Sequence, residues 1–420
     1  MPAKNEFEWI GSFDRGLLMR TIKECRKIDN GRVSFGASDY AFWLPVLVSA
    51  IRVTPVVGSL KSRCIEKALN DLELNLDNDR DFLDRCNEQF KKLTEGKKRE
   101  FILLCSITYE GERLFNRLID DRGVSIWQPD LGNGLYKAAL KSRATLDDLA
   151  TSLDVTKTDL PLTPIFVKVE ALDARHAFEI SIGAVDKLRG ILNLIVNSNR
   201  SINPFGRFNR RAHAINRFRL GPVHTLHEAD GSLAAKTIWY EARWWHLGAS
   251  VKFKGDKKKI RGNIARYWKI LSSSPLRDYI GTGLLRYCRA LDRHDDDVAL
   301  IGLWSTLEFL TGASSYDQVV SRITKLFKDD HFARQIAQHI RQRRNETVHS
   351  ASSPDQSEAD AVLLHADTLV ARMLSFLIRD NIRFKDADEL FEFLDMPLNL
   401  RELSARKKMI DKFVRYRNRS

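Results

Sequence analysis

The sequence predicts an α+β fold, with an N-terminal mixed α/β region followed by a C-terminal all-helical bundle. Before about residue 160, short apolar runs such as VLVSAIRV, REFILLCSITYEG and VSIWQP alternate with helical stretches and with turn signals such as DNDRD and DLGNG. From about residue 270 the apolar positions recur at helical spacing, and only short links separate the runs. A length of 420 residues with 43% apolar composition supports a sizeable core spread over two or three domains.

In chain order, Phe101 to Tyr109 reads as a buried strand. After the Pro-punctuated LPLTP, the run IFVKVEAL alternates as a strand does, and Asp173 caps a helix carrying Ala177, Val185, Leu188, Leu192 and Ile195. Ser274 and Pro275 then start a helix with Leu276, Ile280, Leu284, Tyr287 and Leu291 on one face. A second, from Asp297, carries Leu300, Leu303, Trp304, Leu307 and Leu310 and ends at Gly312. A third holds Val319, Ile323 and Leu326; a fourth holds Phe332, Ile336 and Ile340 and runs into RQRRNETVHS, from Arg341 to Ser350. Ser353, Pro354 and Gln356 make a capping-box start for a fifth, with Val362, Ala366, Leu369, Met373 and Phe376. Short links between amphipathic helices make an antiparallel bundle. The expected parts are therefore residues 1–160, a strand-helix and connector over 161–268, the bundle over 269–385 and a basic helical extension over 386–420.

The N-terminus lacks the apolar core of a signal peptide, and FWLPVLVSAI is too short to span a bilayer, so a cytoplasmic protein without membrane attachment is expected. Five scattered cysteines, odd in number and without a CxxC pair, read as core thiols rather than as disulfides or zinc ligands. His224, His227 and Glu228 in HTLHE lack the helical HExxH spacing and follow Gly-Pro, so a loop with two ordinary histidines is expected there, and no metal. No Walker loop, GxGxxG or GxSxG occurs, which argues against a built-in ATPase, dehydrogenase or hydrolase, and no cofactor is called for.

A formal charge of +13 favours a polyanionic partner, with nucleic acid the first to consider. The charge is clustered. In NRSINPFGRFNRRAHAINRFRLGP, Arg207, Arg210 and Arg211 sit among arginines interleaved with Phe205, Phe208 and Phe218, a mixture suited to stacking on bases and pairing with phosphates. A second run, KFKGDKKKIRGNIARYWK, contributes Lys257, Lys258 and Lys259. Either could instead be a solvated loop, the commoner fate of a charge run.

RQRRNETVHS gathers Arg341, Arg343, Arg344, Asn345 and His349 at a helix end. One reading is a cationic helix C-terminus in which arginines and a capping histidine offset the helix dipole. The other is a site that handles phosphate. Three further stretches share the spacing of Arg, four residues, His, but RLGPVH contains Gly-Pro, RALDRH runs into three aspartates, and RQIAQH lies mid-helix without the asparagine that follows Arg344.

On Arg344-Asn345-Glu346-Thr347-Val348-His349, on LIGLWSTLEFLTG and on the upstream FVKVEALDARHAFEISIGAVDKLRGILNLIVN, the chain resembles the HEPN family in its ApeA-like form, over roughly residues 270 to 380. The resemblance implies a metal-independent endoribonuclease that works as a homodimer through the bundle. It also implies a toxin or antiviral effector role, as in abortive infection, with an antitoxin or a phage trigger as partner and residues 1–160 as sensor or substrate-positioning part. It further implies a polar side chain of the second helix near the motif, for which Glu308 and Ser305 are candidates; Glu308 could instead be a surface carboxylate or pair with Arg343 or Arg344. HEPN partners of minimal nucleotidyltransferases carry a tyrosine two places after the histidine, where this chain has Ala351.

Such cleavage needs a base to take the 2′-hydroxyl proton and cations to stabilise charge on the phosphate, roles that suit His349 and Arg344, with Arg341 and Arg343 as RNA contacts. Asn345 and His349 share a helix face, whereas Arg344 and His349 point about 140° apart on a straight helix. Either the helix loosens near Thr347, or the site is completed across a two-fold axis. The competing expectation is a non-catalytic RNA-binding or regulatory protein whose bundle only dimerises.

Overall fold

The computed structural model describes residues 7–53, 58–120, 122–155, 160–197, 215–241, 250–252, 257–349, 356–380 and 382–417. The fold is α+β, and the chain divides into two compact units, 1–100 with 170–179, and 101–169 with 180–420.

The first unit runs β1 (Phe7–Trp9), α1 (Arg15–Cys25), β2 (Arg26–Asp29), β3 (Arg32–Phe35), α2 (Ala37–Ala50), β4 (Ile51–Val53), α3 (Gly58–Leu69) and α4 (Asp79–Thr94). β1 and β4 pair antiparallel, as do β2 and β3. Asp14 and Asn78 cap α1 and α4 by accepting backbone N–H bonds. The core gathers Phe7, Met19, Ile22, Leu47, Ile65 and Phe82.

The second unit is built on a six-stranded sheet in the order β10-β9-β5-β8-β7-β6. Its strands are β5 (Arg99–Ile107), β6 (Leu118–Ile119), β7 (Ser125–Trp127), β8 (Thr163–Ala171), β9 (Val223–His227) and β10 (Trp239–Tyr240). Phe101, Leu103, Cys105 and Ile107 of β5 are buried on one face, and Ile102 and Leu104 on the other, which is why this strand reads as a continuous apolar run. The second face packs on α5 (Gly134–Ala144) through Ala139, Leu135 and Tyr136, and α6 (Asp147–Ser152) follows at once. α7 (Ala174–Asn197) buries Val185, Leu188 and Leu192, and at Gly190 it comes close to Leu284.

HTLHE is not the loop expected from its Gly-Pro lead. It is β9, held between β5 (Ile102 opposite His227, Leu104 opposite Thr225) and β10, with both histidines buried. The segment from Ile215 to Leu220 is likewise core: Arg189 of α7, itself buried, bonds Asp186, Asp292 and the Phe218 carbonyl, while Asn216 bridges Asn193 and Asp292. Phe218 and Arg219, read from the sequence as part of an RNA-facing run, are buried here.

The helical part comprises α8 (Lys257–Ser273), α9 (Arg277–Leu291), α10 (Asp296–Thr311), α11 (Tyr316–Thr324), α12 (Asp330–His349), α13 (Gln356–Arg379), α14 (Ala387–Asp395) and α15 (Leu400–Arg417). α10 packs on α9, α12 and α13, and α13 also covers α8, α9 and α12. The apolar stripes expected for α9, α10 and α11 are buried throughout. Asp295 caps α10 at its start, and Gly312 ends it in a left-handed conformation, φ +59°. Ser353 and Pro354 lie outside the described residues, but Val362, Ala366, Leu369, Met373 and Phe376 of α13 are all core. The span Ala361–Arg379 is long and apolar enough to cross a bilayer by composition; in this fold its apolar side chains form the middle of the bundle. α15 has no buried residue. All five cysteines are buried thiols outside any disulfide.

Candidate active site

α12 opens where Asp329 Oδ1 accepts the Phe332 N–H at 2.9 Å. The helix buries Ala333, Ala337, Ile340 and Arg343, a three-and-four spacing that turns one narrow stripe to the bundle. Phe332, expected in that stripe, is 64% exposed, and the next residue, Ala333, is buried in its place.

The stripe ends in charge. Arg343 is only 4% exposed, and its guanidinium reaches Asp297 Oδ1 at the start of α10 and Glu346 Oε2 one turn on, each at 3.4 Å. Glu346 also accepts from Gln342 at 3.1 Å. Arg341 lies over the Tyr316 ring at 4.3 Å and 3.6 Å from Asp317. Tyr316 stacks on Trp304 with centroids 4.9 Å apart and donates to the Ala337 carbonyl, and burial pushes its phenol pKa up. The Trp304 indole in turn donates to Glu308 Oε1 at 2.6 Å. Arg344 differs from both neighbours. It is half-buried, Nη1 donates to Asn345 Oδ1 at 3.3 Å, and among the described residues it has no other hydrogen bond and no carboxylate at ion-pair distance.

These contacts sort the expected site residues. Arg344 and Asn345 are together at the exposed end of α12, and the helix continues unbroken to His349, so the loosened turn near Thr347 does not occur. The side chains of Thr347, Val348 and His349 lie outside the described part. Arg343 is not presented to solvent as an RNA contact: it is buried, and its charge is met by the partly exposed carboxylates of Asp297 and Glu346. Glu308 is not at the motif either. About three turns of α10, roughly 16 Å, separate it from Asp297, the α10 residue that meets Arg343. Because Tyr316, stacked on Trp304, bonds Ala337, the two helices run antiparallel, and the motif end of α12 points away from Glu308. The acidic residue of the second helix beside the motif is therefore Asp297. Its only sequence signal is its place in the run Asp295 to Asp297, and no local spacing connects it to Arg343.

Of the remaining cations, Lys257 is paired with Glu112 at 2.8 Å, and the bond holds that carboxyl below its ordinary range. Arg261 reaches the same Glu112, and Lys252 reaches Glu110. Lys258 and Lys259 are exposed on α8, whose other face buries Ile264, Trp268 and Leu271. Arg207, Arg210 and Arg211 lie outside the described residues. Among the described residues no group of three histidine, cysteine or carboxylate side chains has the arrangement of a metal site.

Comparison of the chain with protein-family models, with curated proteins and with solved structures finds no match.

Proposed function

We propose that this chain is a metal-independent endoribonuclease of the HEPN type, cutting RNA by attack of a ribose 2′-hydroxyl on the adjacent phosphorus. The observation that carries the reading is the contrast within one helical turn: Arg341 and Arg343 stand at ion-pair distance from carboxylates of their own chain, and among the described residues Arg344 does not. A guanidinium left with open donors at the exposed end of a rigid helix is suited to a phosphate. Its companions are Asn345, on the same turn, and His349, one turn on.

In this mechanism the His349 imidazole takes the 2′-hydroxyl proton and the oxygen attacks phosphorus. The bond from phosphorus to the 5′-oxygen breaks, the leaving oxygen takes up a proton, and a cyclic phosphate remains. Arg344 stabilises the charge that develops on the phosphate oxygens. With α12 helical to its end, Arg344 and His349 of one chain diverge by about 140°, so one linkage is gripped by Arg344 of one copy and His349 of a second in a homodimer. Exposed Lys258 and Lys259 extend the RNA contact. The role as a cytoplasmic toxin or antiviral effector, with an antitoxin or phage trigger as partner, rests on the family resemblance.

The test uses the purified full chain with single-stranded RNA and a DNA of the same sequence, in EDTA. RNA is cut and DNA is spared, and His349→Ala abolishes cleavage with unchanged circular dichroism and unchanged oligomeric mass. Equal cleavage by that variant sinks the mechanism. RNA binding with no cleavage by wild type supports instead a non-catalytic RNA-binding protein whose bundle only dimerises.

A further inference from the structure

A cavity of about 640 Å³ lies in the second unit between the sheet, at β5, β9 and β10, and the α5–α6 corner. We propose that it binds a small organic anion, a carboxylate or phosphate monoester on an apolar body, whose head pairs with Arg143.

Its walls are largely apolar, with Leu146, Val155 and Ile238 among them, and its size falls in the range of small-molecule sites. One cation breaks this lining. Arg143 donates from Nε to Thr225 Oγ1 at 2.9 Å and from Nη2 to the Leu104 carbonyl at 2.5 Å, both neutral acceptors. A guanidinium has five N–H bonds, so three are left without a protein acceptor among the described residues. No carboxylate of the described residues stands at ion-pair distance from it, although Asp147 at the rim favours its charge from further off. Burial lowers its pKa to about 10, which still leaves it protonated at neutral pH. Arg143 is half-buried at the cavity wall, and a cation held there by neutral acceptors is suited to an anion that takes its open donors. The free N–H bonds sit on Nη1 and Nη2, the end of the fork that takes two oxygens of one head group at once.

The fork is aimed by its surroundings. Thr225 Oγ1 accepts from Arg143, so its own proton goes to His227 Nε2 at 2.8 Å, and His227 donates from Nδ1 to the Gly231 carbonyl at 3.0 Å. Burial lowers the His227 pKa to about 4, which keeps that ring neutral and able to accept. Ser106 also lines the cavity, and a side chain at position 221 would overlap its hydroxyl, so glycine there leaves that oxygen its space. Arg143 and Ser106 would contact the head group, with Thr225 and His227 as positioning residues.

Calorimetric titration of the full chain with hexanoate, hexyl phosphate and 1-hexanol tests the site. The expected result is saturable binding of at least one anion, with hexanol at least tenfold weaker; the preferred anion then tells which head group the fork takes. Arg143→Gln is expected to weaken the anion at least tenfold and leave hexanol unchanged. Ala150→Phe, which fills the cavity without touching Arg143, is expected to abolish all binding, with circular dichroism confirming that both variants fold. Absence of binding by both anions overturns the proposal. So does hexanol binding as tightly as the anions, or anion binding that survives both substitutions.

Discussion

The Arg343 guanidinium stands 3.4 Å from Asp297 Oδ1, tying the last turns of α12 to the first turn of α10. The next residue, Arg344, makes no such bond among the described residues. The two arginines should therefore respond oppositely to truncation. Arg343→Ala removes a buried side chain and its two ion pairs to partly exposed carboxylates, and is expected to lower unfolding free energy by about 1 kcal/mol in urea titrations. Arg344→Ala should change it by less than about 0.5 kcal/mol and lower RNA cleavage at least about a hundredfold. Equal effects of the two variants on cleavage at matched stability would remove Arg344 from its role.

Glu308 serves Trp304. Glu308→Ala removes the acceptor of a largely buried indole N–H and is expected to destabilise by about 1 kcal/mol, while RNA cleavage stays within about twofold of wild type. Glu308→Gln keeps an oxygen acceptor and should recover most of the loss. A large fall in cleavage by the Gln variant would return this carboxylate to the chemistry.

His227 makes stability depend on pH in a defined direction. Its pKa falls from 6.5 to about 4 in the folded state because the ring is buried. Between those values the unfolded chain binds a proton that the folded chain refuses, so stability is present above pH 6.5 and is lost as pH falls toward 4. The full window corresponds to roughly 3 kcal/mol for this one ring. Urea unfolding of wild type and His227→Gln at intervals from pH 7 to 4 checks it: the variant should lose that part of the slope.

Gly312→Ala should disturb the corner between α10 and α14. The residue sits at φ +59°, and an added Cβ would overlap the Phe391 ring, which packs near Tyr279 and Arg322. Backbone strain and displacement of that ring together are expected to lower stability by about 2 kcal/mol or more, read as a lower thermal midpoint.

Much of the scaffold was legible before any coordinates. The continuous run of β5, the alternation of β8, Asp173 at the start of α7 and the stripes of α9, α10 and α11 all follow from local period and capping, and each is where the pattern puts it. Pattern failed where partners from distant sequence decide burial. Phe332 looked like core because only its spacing was visible, and Phe218 and Arg219 looked like surface because their neighbours in sequence are basic. The two histidines of β9 gave no strand signal beside Gly-Pro, since what holds them is pairing with β5 and β10.

From the chain alone came its basic balance, the phases of its main helices, and the adjacency of Arg344 and Asn345 with His349 one turn on. Which of the clustered arginines is neutralised was decided only when α10 and α12 packed antiparallel, because a carboxylate at position 297 and a guanidinium at 343 meet through tertiary structure and through nothing shorter. The cavity around Arg143 arose the same way: its acceptors come from β5 and β9, and their unequal number against its five N–H bonds exists only once the sheet has formed.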